Sequence, residues 1–184
     1  MPRKLHYPKI PNSRDFPLGE CIAFEKYDGT NMHFSWQRDF GWHAFGTRRD
    51  EFNLDDRGIK LFQQRHRHIA DAPFVFRNDH MSQINDIFKC DDRCLTTTDF
   101  TVFAEFLGPN SFAGLHKDQD AKRLVLFDVQ ADGELLSPFE FVEIFGELPV
   151  ARVVYRGKFH GAFTEDVRNG KYGVDEGVIC KTGQ

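Results

Sequence analysis

The chain has 184 residues, a hydrophobic fraction of 40% that includes twenty phenylalanines, and a formal charge of −4. This is enough for one domain with a bulky core, and the acidic balance excludes a general basic coat for nucleic acid or anionic membrane, though not one local basic face. No apolar run approaches a membrane span, no leader-like segment opens the chain, and four cysteines are too few for a disulfide framework, so a reducing cytoplasm is the expected setting.

The first twenty residues, rich in proline and polar side chains, read as an extended arm. From Cys21 the chain reads as strand, turn and strand (CIAFEKYDGTNMHFSW), followed by a further strand, GWHAFGT. Residues 55–70 set Ile59, Phe62, His66 and Ile69 at helical spacing, with Asp55 or Asp56 as N-cap, and a second helix is expected over 79–89. FTVFAEFLG at 100–108 and RLVLFDVQ at 123–130 are β-like runs. Ser137, Pro138 and Glu140 mark a helix start with cap, first-turn proline and capping-box glutamate, and that helix should end near Gly146. VARVVYRG returns as a strand, a helical turn from Thr164 to Asn169 closes at Gly170, and EGVICK is the last strand. Strands in hairpin-like pairs, without alternating β-α-β units, predict an α+β domain on antiparallel sheet.

Among these elements the segment Glu25 to Asn31 (EKYDGTN) is anomalous. Lys26 ends an apparently inward-bound strand, and a buried ammonium tends to lose its proton and become a nucleophile. Asp28-Gly29 directly after it makes a tight corner beside a carboxylate and open backbone amides. Glu105 sits within an apolar run and needs a partner or a ligand. Glu176 opens EGVICK with Lys181 five residues later, on opposite faces of a regular strand. Arg48 and Arg49 follow a strand and could meet solvent or phosphate, while Phe127 could be core or a stacking platform. Neither a P-loop nor a dinucleotide-binding glycine pattern is present. Cys21 and Cys180 read as buried thiols. The pair Cys90 and Cys94, near His80, is isolated in an acidic segment and makes a poor zinc site. The RHRH run at 65–68 reads as a solvated helix face.

Taken in order, these segments resemble the motifs of the covalent nucleotidyltransferases, which comprise DNA ligases, RNA ligases and mRNA capping enzymes. Lys26-Tyr27-Asp28-Gly29 resembles motif I, GTRRD motif Ia, VFAEFLG motif III, RLVLFDV motif IIIa and EGVICK motif IV. Asn31, where DNA ligases and capping enzymes usually carry arginine, is similar to the RNA ligase 2 type, as is Glu25 before the lysine.

The resemblance implies an ATP-grasp-like, antiparallel-sheet nucleotidyltransferase domain with flanking helices, spanning 1–184, of an ATP-dependent RNA ligase. It further implies Lys26 as carrier of a covalent lysyl-AMP, Glu25 at the adenine edge, Glu105 on the ribose hydroxyls and Phe127 stacked on the base. By the same resemblance, Arg48 and Asn31 would meet phosphate or the strand end, Glu176 would help place magnesium, and Lys181 would lie near the phosphates. The implied partners are ATP and RNA ends or a nicked duplex, with no membrane. The family's motif V, a strand with two lysines that meet the α-phosphate, has no counterpart before residue 184, so truncation and weak lysyl-AMP formation by 1–184 are expected. A DNA ligase, a guanylyltransferase and a catalytically impaired nucleotide- or RNA-binding relative are the competing readings.

Overall fold

The computed structural model describes residues 6–10, 16–17, 19–109 and 119–183, in an α+β arrangement of two antiparallel sheets and five α-helices. Strand β1 (Glu20–Glu25) is central to a small sheet, flanked by β8 (Val153–Lys158) and β9 (Val178–Thr182). The larger sheet runs β4 (Glu51–Asn53), β3 (Gly41–Thr47), β2 (Thr30–Gln37), β5 (Asp99–Leu107), β6 (Arg123–Ala131) and β7 (Glu134–Leu135). The tight corner after Lys26 therefore switches the chain from one sheet to the other.

Alternation along β2 and β5 sorts the large sheet into two faces. Met32, Phe34 and Trp36 pair with Ala104, Val102 and Phe100, and this face meets the helices α1 (Asp56–Arg65), α2 (Ala72–Asp79) and α3 (Met81–Cys90). Phe34 stacks on Phe76 at 3.8 Å between centroids, Phe45 meets Phe62 edge-on, and Phe88 stacks on Phe100 at 3.9 Å. Most of the core lies here, so the phenylalanines set the spacing of sheet and helices. The opposite face carries Asn31, His33, Phe103 and Glu105, a polar set for a sheet interior, and turns toward the small sheet.

Helix starts follow local chemistry. The Asp55 carboxylate accepts from the Gly58 amide at 2.7 Å, and Ser137 and Glu140 form the reciprocal capping box of α4 (Pro138–Phe145). The expected continuous helix over 55–70 is two pieces. α1 ends at Arg65, His66 leaves helical geometry while its Nε2 lies 3.0 Å from Asp50 Oδ2, and Arg67–Ile69 form a separate 3₁₀ turn. α2 was not foreseen, because its residues APFVFRND have weak periodicity and a proline in the first turn. α5 (Gly161–Arg168) starts earlier than expected because the His160 ring caps it, accepting from the Phe163 amide at 3.2 Å. No helix among the described residues is long and apolar enough to cross a membrane.

Candidate active site

The two sheets enclose a cavity of about 190 Å³, lined by Glu25, Lys26, Tyr27, Asn31, Arg48, Glu105, Val125, Phe127, Ala151 and Ile179, with Tyr7, Pro8 and Ile10 of the arm. Six residues singled out from sequence thus converge on one space, although they are spread from position 25 to position 127.

Register explains the convergence. Asn31 on β2 faces Glu105 on β5, and Glu105 faces Val125 on β6, forming one row across the polar face. Phe103 pairs with Asp128 while Ala104 pairs with Leu126, so Phe127 is the extra residue of a β-bulge. The bulge turns the Phe127 ring into the cavity, where Tyr7 meets it edge-on at 5.1 Å. On the small sheet Glu25 pairs with Val178, and the Lys26 amide donates to the Gly177 carbonyl at 3.0 Å. That extension of the ladder brings Glu176 alongside, and its carboxylate forms an ion pair with the Lys26 ammonium. Lys26 is accordingly a half-exposed amine at a strand end, 39% exposed, and not the buried lysine its apolar flanks suggested.

Gly29 is required by close approach. A Cβ at this position would lie 2.4 Å from the Phe106 carbonyl oxygen and 2.9 Å from Glu105 Cγ. The bare backbone lets the Gly29 amide donate to the Glu105 carboxylate, which Lys26 also stabilises, yet burial dominates, with a smaller contribution from the Asp28 charge, and pushes the Glu105 carboxyl up to about 7. Asn31 Oδ1 is buried without a hydrogen-bond partner. An acceptor left unmatched inside a polar cavity fits a ligand that brings hydroxyl or amine donors.

Glu25 is held rigidly. Its Oε2 accepts from Tyr27 Oη at 3.0 Å and from Arg152 Nε at 2.8 Å, and Arg152 also donates to the carbonyls of Tyr172 and Gly173 at 3.0 Å each. Two sequence expectations fall differently in space. The Arg48 guanidinium reaches the cavity but donates to the carbonyls of Tyr7 at 3.1 Å and Pro8 at 2.8 Å, so it holds the arm; Arg49 is exposed. Lys181 is absent from the cavity lining. Its Nζ donates to the Phe127 carbonyl and, at 2.8 Å, to Asp128 Oδ2, beneath the rings of Phe24, Phe127 and Phe141. Burial lowers the pKa of Lys181, and Asp128 partly offsets this. Glu176 lies in a bend ahead of β9 and not on the strand, so the expected alternation with Lys181 does not apply to it.

Tyr7 and Arg152 were missed in the sequence. Tyr7 is buried, with its Oη donating to Asp128 Oδ2 at 2.7 Å. The available signals were an aromatic residue between polar arm residues and an arginine inside the apolar run ARVVY; neither names its partner.

The sequence profile of the RNA ligase family matches residues 19–184. The chain belongs to the RNA ligase family. A search of the curated proteins found no match. Among solved structures, an archaeal ATP-dependent RNA ligase superposes with a TM-score of 0.58 at 15% identity, over 96% of this chain and 45% of that one. A lysine-to-methionine mutant of a Naegleria gruberi RNA ligase, solved with AMP and Mn, superposes with a TM-score of 0.57 at 13% identity, over 89% of this chain and 47% of that one. At these identities the likeness is one of fold, that of RNA ligase nucleotidyltransferase domains. The chain spans less than half the length of either structure.

Proposed function

We propose that residues 1–184 form the adenylyltransferase domain of an ATP-dependent RNA ligase, with Lys26 as the nucleophile that carries AMP. The observation that carries this reading is the convergence of Lys26, Glu25, Asn31, Glu105 and Phe127 on one cavity in a chain of the RNA ligase family. In the first step the Lys26 amine, separated from Glu176 and deprotonated, attacks the α-phosphorus of ATP. A P–N bond forms, the bond from the α-phosphorus to the bridging oxygen breaks, and pyrophosphate leaves with its electron pair. A 5′-phosphate oxygen of RNA then displaces the lysine to give RNA-adenylate, and a 3′-hydroxyl attacks that phosphate and releases AMP.

Each side chain has a role suited to its surroundings. Phe127 offers a face for the adenine, a contact of about 1–3 kcal/mol for aromatic stacking. Glu25, fixed by Tyr27 and Arg152, presents acceptors to the base edge. Glu105 accepts from ribose hydroxyls once ionised, and Asn31 supplies the unmatched acceptor beside it and a side-chain amide for phosphate. Glu176, 31% exposed, is the carboxylate suited to a magnesium ion, which would neutralise charge on the phosphates. Arg48 would turn from the arm carbonyls to phosphate only if the arm moves. Lys181 supports the site from behind, through the Phe127 carbonyl and Asp128.

Incubation with ATP labelled at the α-phosphate, with magnesium, followed by denaturing electrophoresis and peptide mapping, tests the reading. A weak, acid-labile adduct on Lys26 that is lost in Lys26→Ala is expected, whereas label surviving that substitution would sink the reading. Matched nicked duplexes with RNA or DNA 3′-ends then separate the two ligase types, and sealing of the DNA nick alone would favour a DNA ligase.

A further inference from the structure

One cluster on the polar face takes no part in the nucleotide cavity. His33 on β2 pairs with Gly46 on β3, and Gly46 pairs with Glu51 on β4, so the three stand in one row across the sheet. Gly46 places no side chain between its neighbours, and a Cβ there would lie 1.9 Å from the Asp50 carbonyl oxygen. His33 and Glu51 therefore reach toward one another over the glycine, with Nε2 and Oε2 at 3.7 Å. The arm completes the group. The His6 amide donates to the Arg48 carbonyl at 3.1 Å, its ring stacks on His33 at 4.0 Å between centroids, and its Nδ1 lies 3.8 Å from the same Glu51 oxygen.

Two observations distinguish this group from an ordinary surface ion pair. The His33 ring is fully buried, yet neither of its nitrogens has a hydrogen-bond partner. Buried imidazoles are rarely left so, because the loss of hydration is uncompensated. Moreover, the three potential ligand atoms all lie within 4.8 Å of one another. Tetrahedral coordination with bonds near 2.0–2.1 Å puts ligand atoms about 3.4 Å apart, so Glu51 needs to close by only a few tenths of an ångström. A tilt of the half-exposed His6 ring out of the stack would bring its Nδ1 toward a shared ion.

We infer that His6, His33 and Glu51 form a binding site for one divalent transition-metal ion of the zinc type, through two imidazoles and one carboxylate. The donor set is nitrogen-rich, which suits zinc over magnesium, and leaves a fourth position for water. Its structural effect follows from chain order. His6 precedes Tyr7 and Pro8, which line the nucleotide cavity, so a bound ion fastens the arm over one wall of that cavity.

Titration of the purified chain with Co²⁺ as spectroscopic probe, and with Zn²⁺ by calorimetry, tests the site. One ion per chain is expected, with the visible spectrum of a nitrogen- and oxygen-bound tetrahedral ion and a Zn²⁺-dependent rise in melting temperature. His6→Ala and Glu51→Gln act at accessible side chains, and each should weaken binding by about 100-fold while the metal-free melting temperature stays near that of the unaltered chain. His33→Asn should abolish binding. Unchanged affinity in His6→Ala and Glu51→Gln, absence of a one-to-one site, or cysteinate charge-transfer bands assigning the ion to Cys90 and Cys94 would each overturn the inference.

Discussion

Replacing Glu105 by glutamine should make the protein more stable and less active, with a specific dependence on pH. Burial raises the Glu105 carboxyl from an ordinary 4.5 to about 7, against the smaller opposing effects of the Gly29 amide and Lys26. Between those values the unfolded chain releases the proton freely while the folded chain retains it. The folded state binds more protons throughout this window, so its stability falls as pH rises from 4.5 to 7 and levels off above. A rise of about 2.5 in pKa, at about 1.36 kcal/mol for each, corresponds to about 3 kcal/mol. Glutamine keeps the shape and neutrality of the protonated acid at every pH and can still accept from Gly29. Urea denaturation of both forms at several pH values from 4 to 9 should therefore give nearly equal stabilities at the acid end. The Glu105→Gln form should gain up to about 3 kcal/mol above pH 7, while Lys26 adenylylation in the same variant drops by an order of magnitude or more. A stability difference that is flat across this range, or that favours the unaltered chain as pH rises, would refute the reasoning.

In the unaltered chain, nucleotide affinity should rise with pH through about 7 as Glu105 ionises, a dependence that Glu105→Gln removes; nucleotide titration by calorimetry checks this. Gly29→Ala sets a methyl 2.4 Å from the Phe106 carbonyl oxygen and should cost about 1–3 kcal/mol in chemical denaturation, along with most of the adenylylation. Phe127→Ala should weaken ATP binding by about 10- to 100-fold, a loss measurable by calorimetry at unchanged stoichiometry. Arg152→Met frees Glu25 and the turn at Tyr172 and Gly173, and should raise the KM for ATP several-fold with little change in kcat, since Arg152 lies outside the cavity lining.

The short-range features were legible in the sequence. Caps, alternation and the corner after Lys26 depend on residues a few positions apart, so Ser137 with Glu140, the β-like run at 100–108 and EKYDGTN could be read directly. The order of the motifs along the chain also pointed to the RNA ligase family, to which the profile match assigns it. Where side chains end up depends on which strands pair, in which register, and on what the arm does. Phe127 enters the cavity through a bulge seen only against β5, and Lys26 meets Glu176 because Glu25 pairs with Val178. Arg48 clasps the arm, Lys181 turns to Asp128, and His6 lies on His33, each through a partner at least 27 residues away. Such contacts arise from sheet register and packing between distant segments, so tertiary structure alone decided which residues share the cavity and which stand behind it.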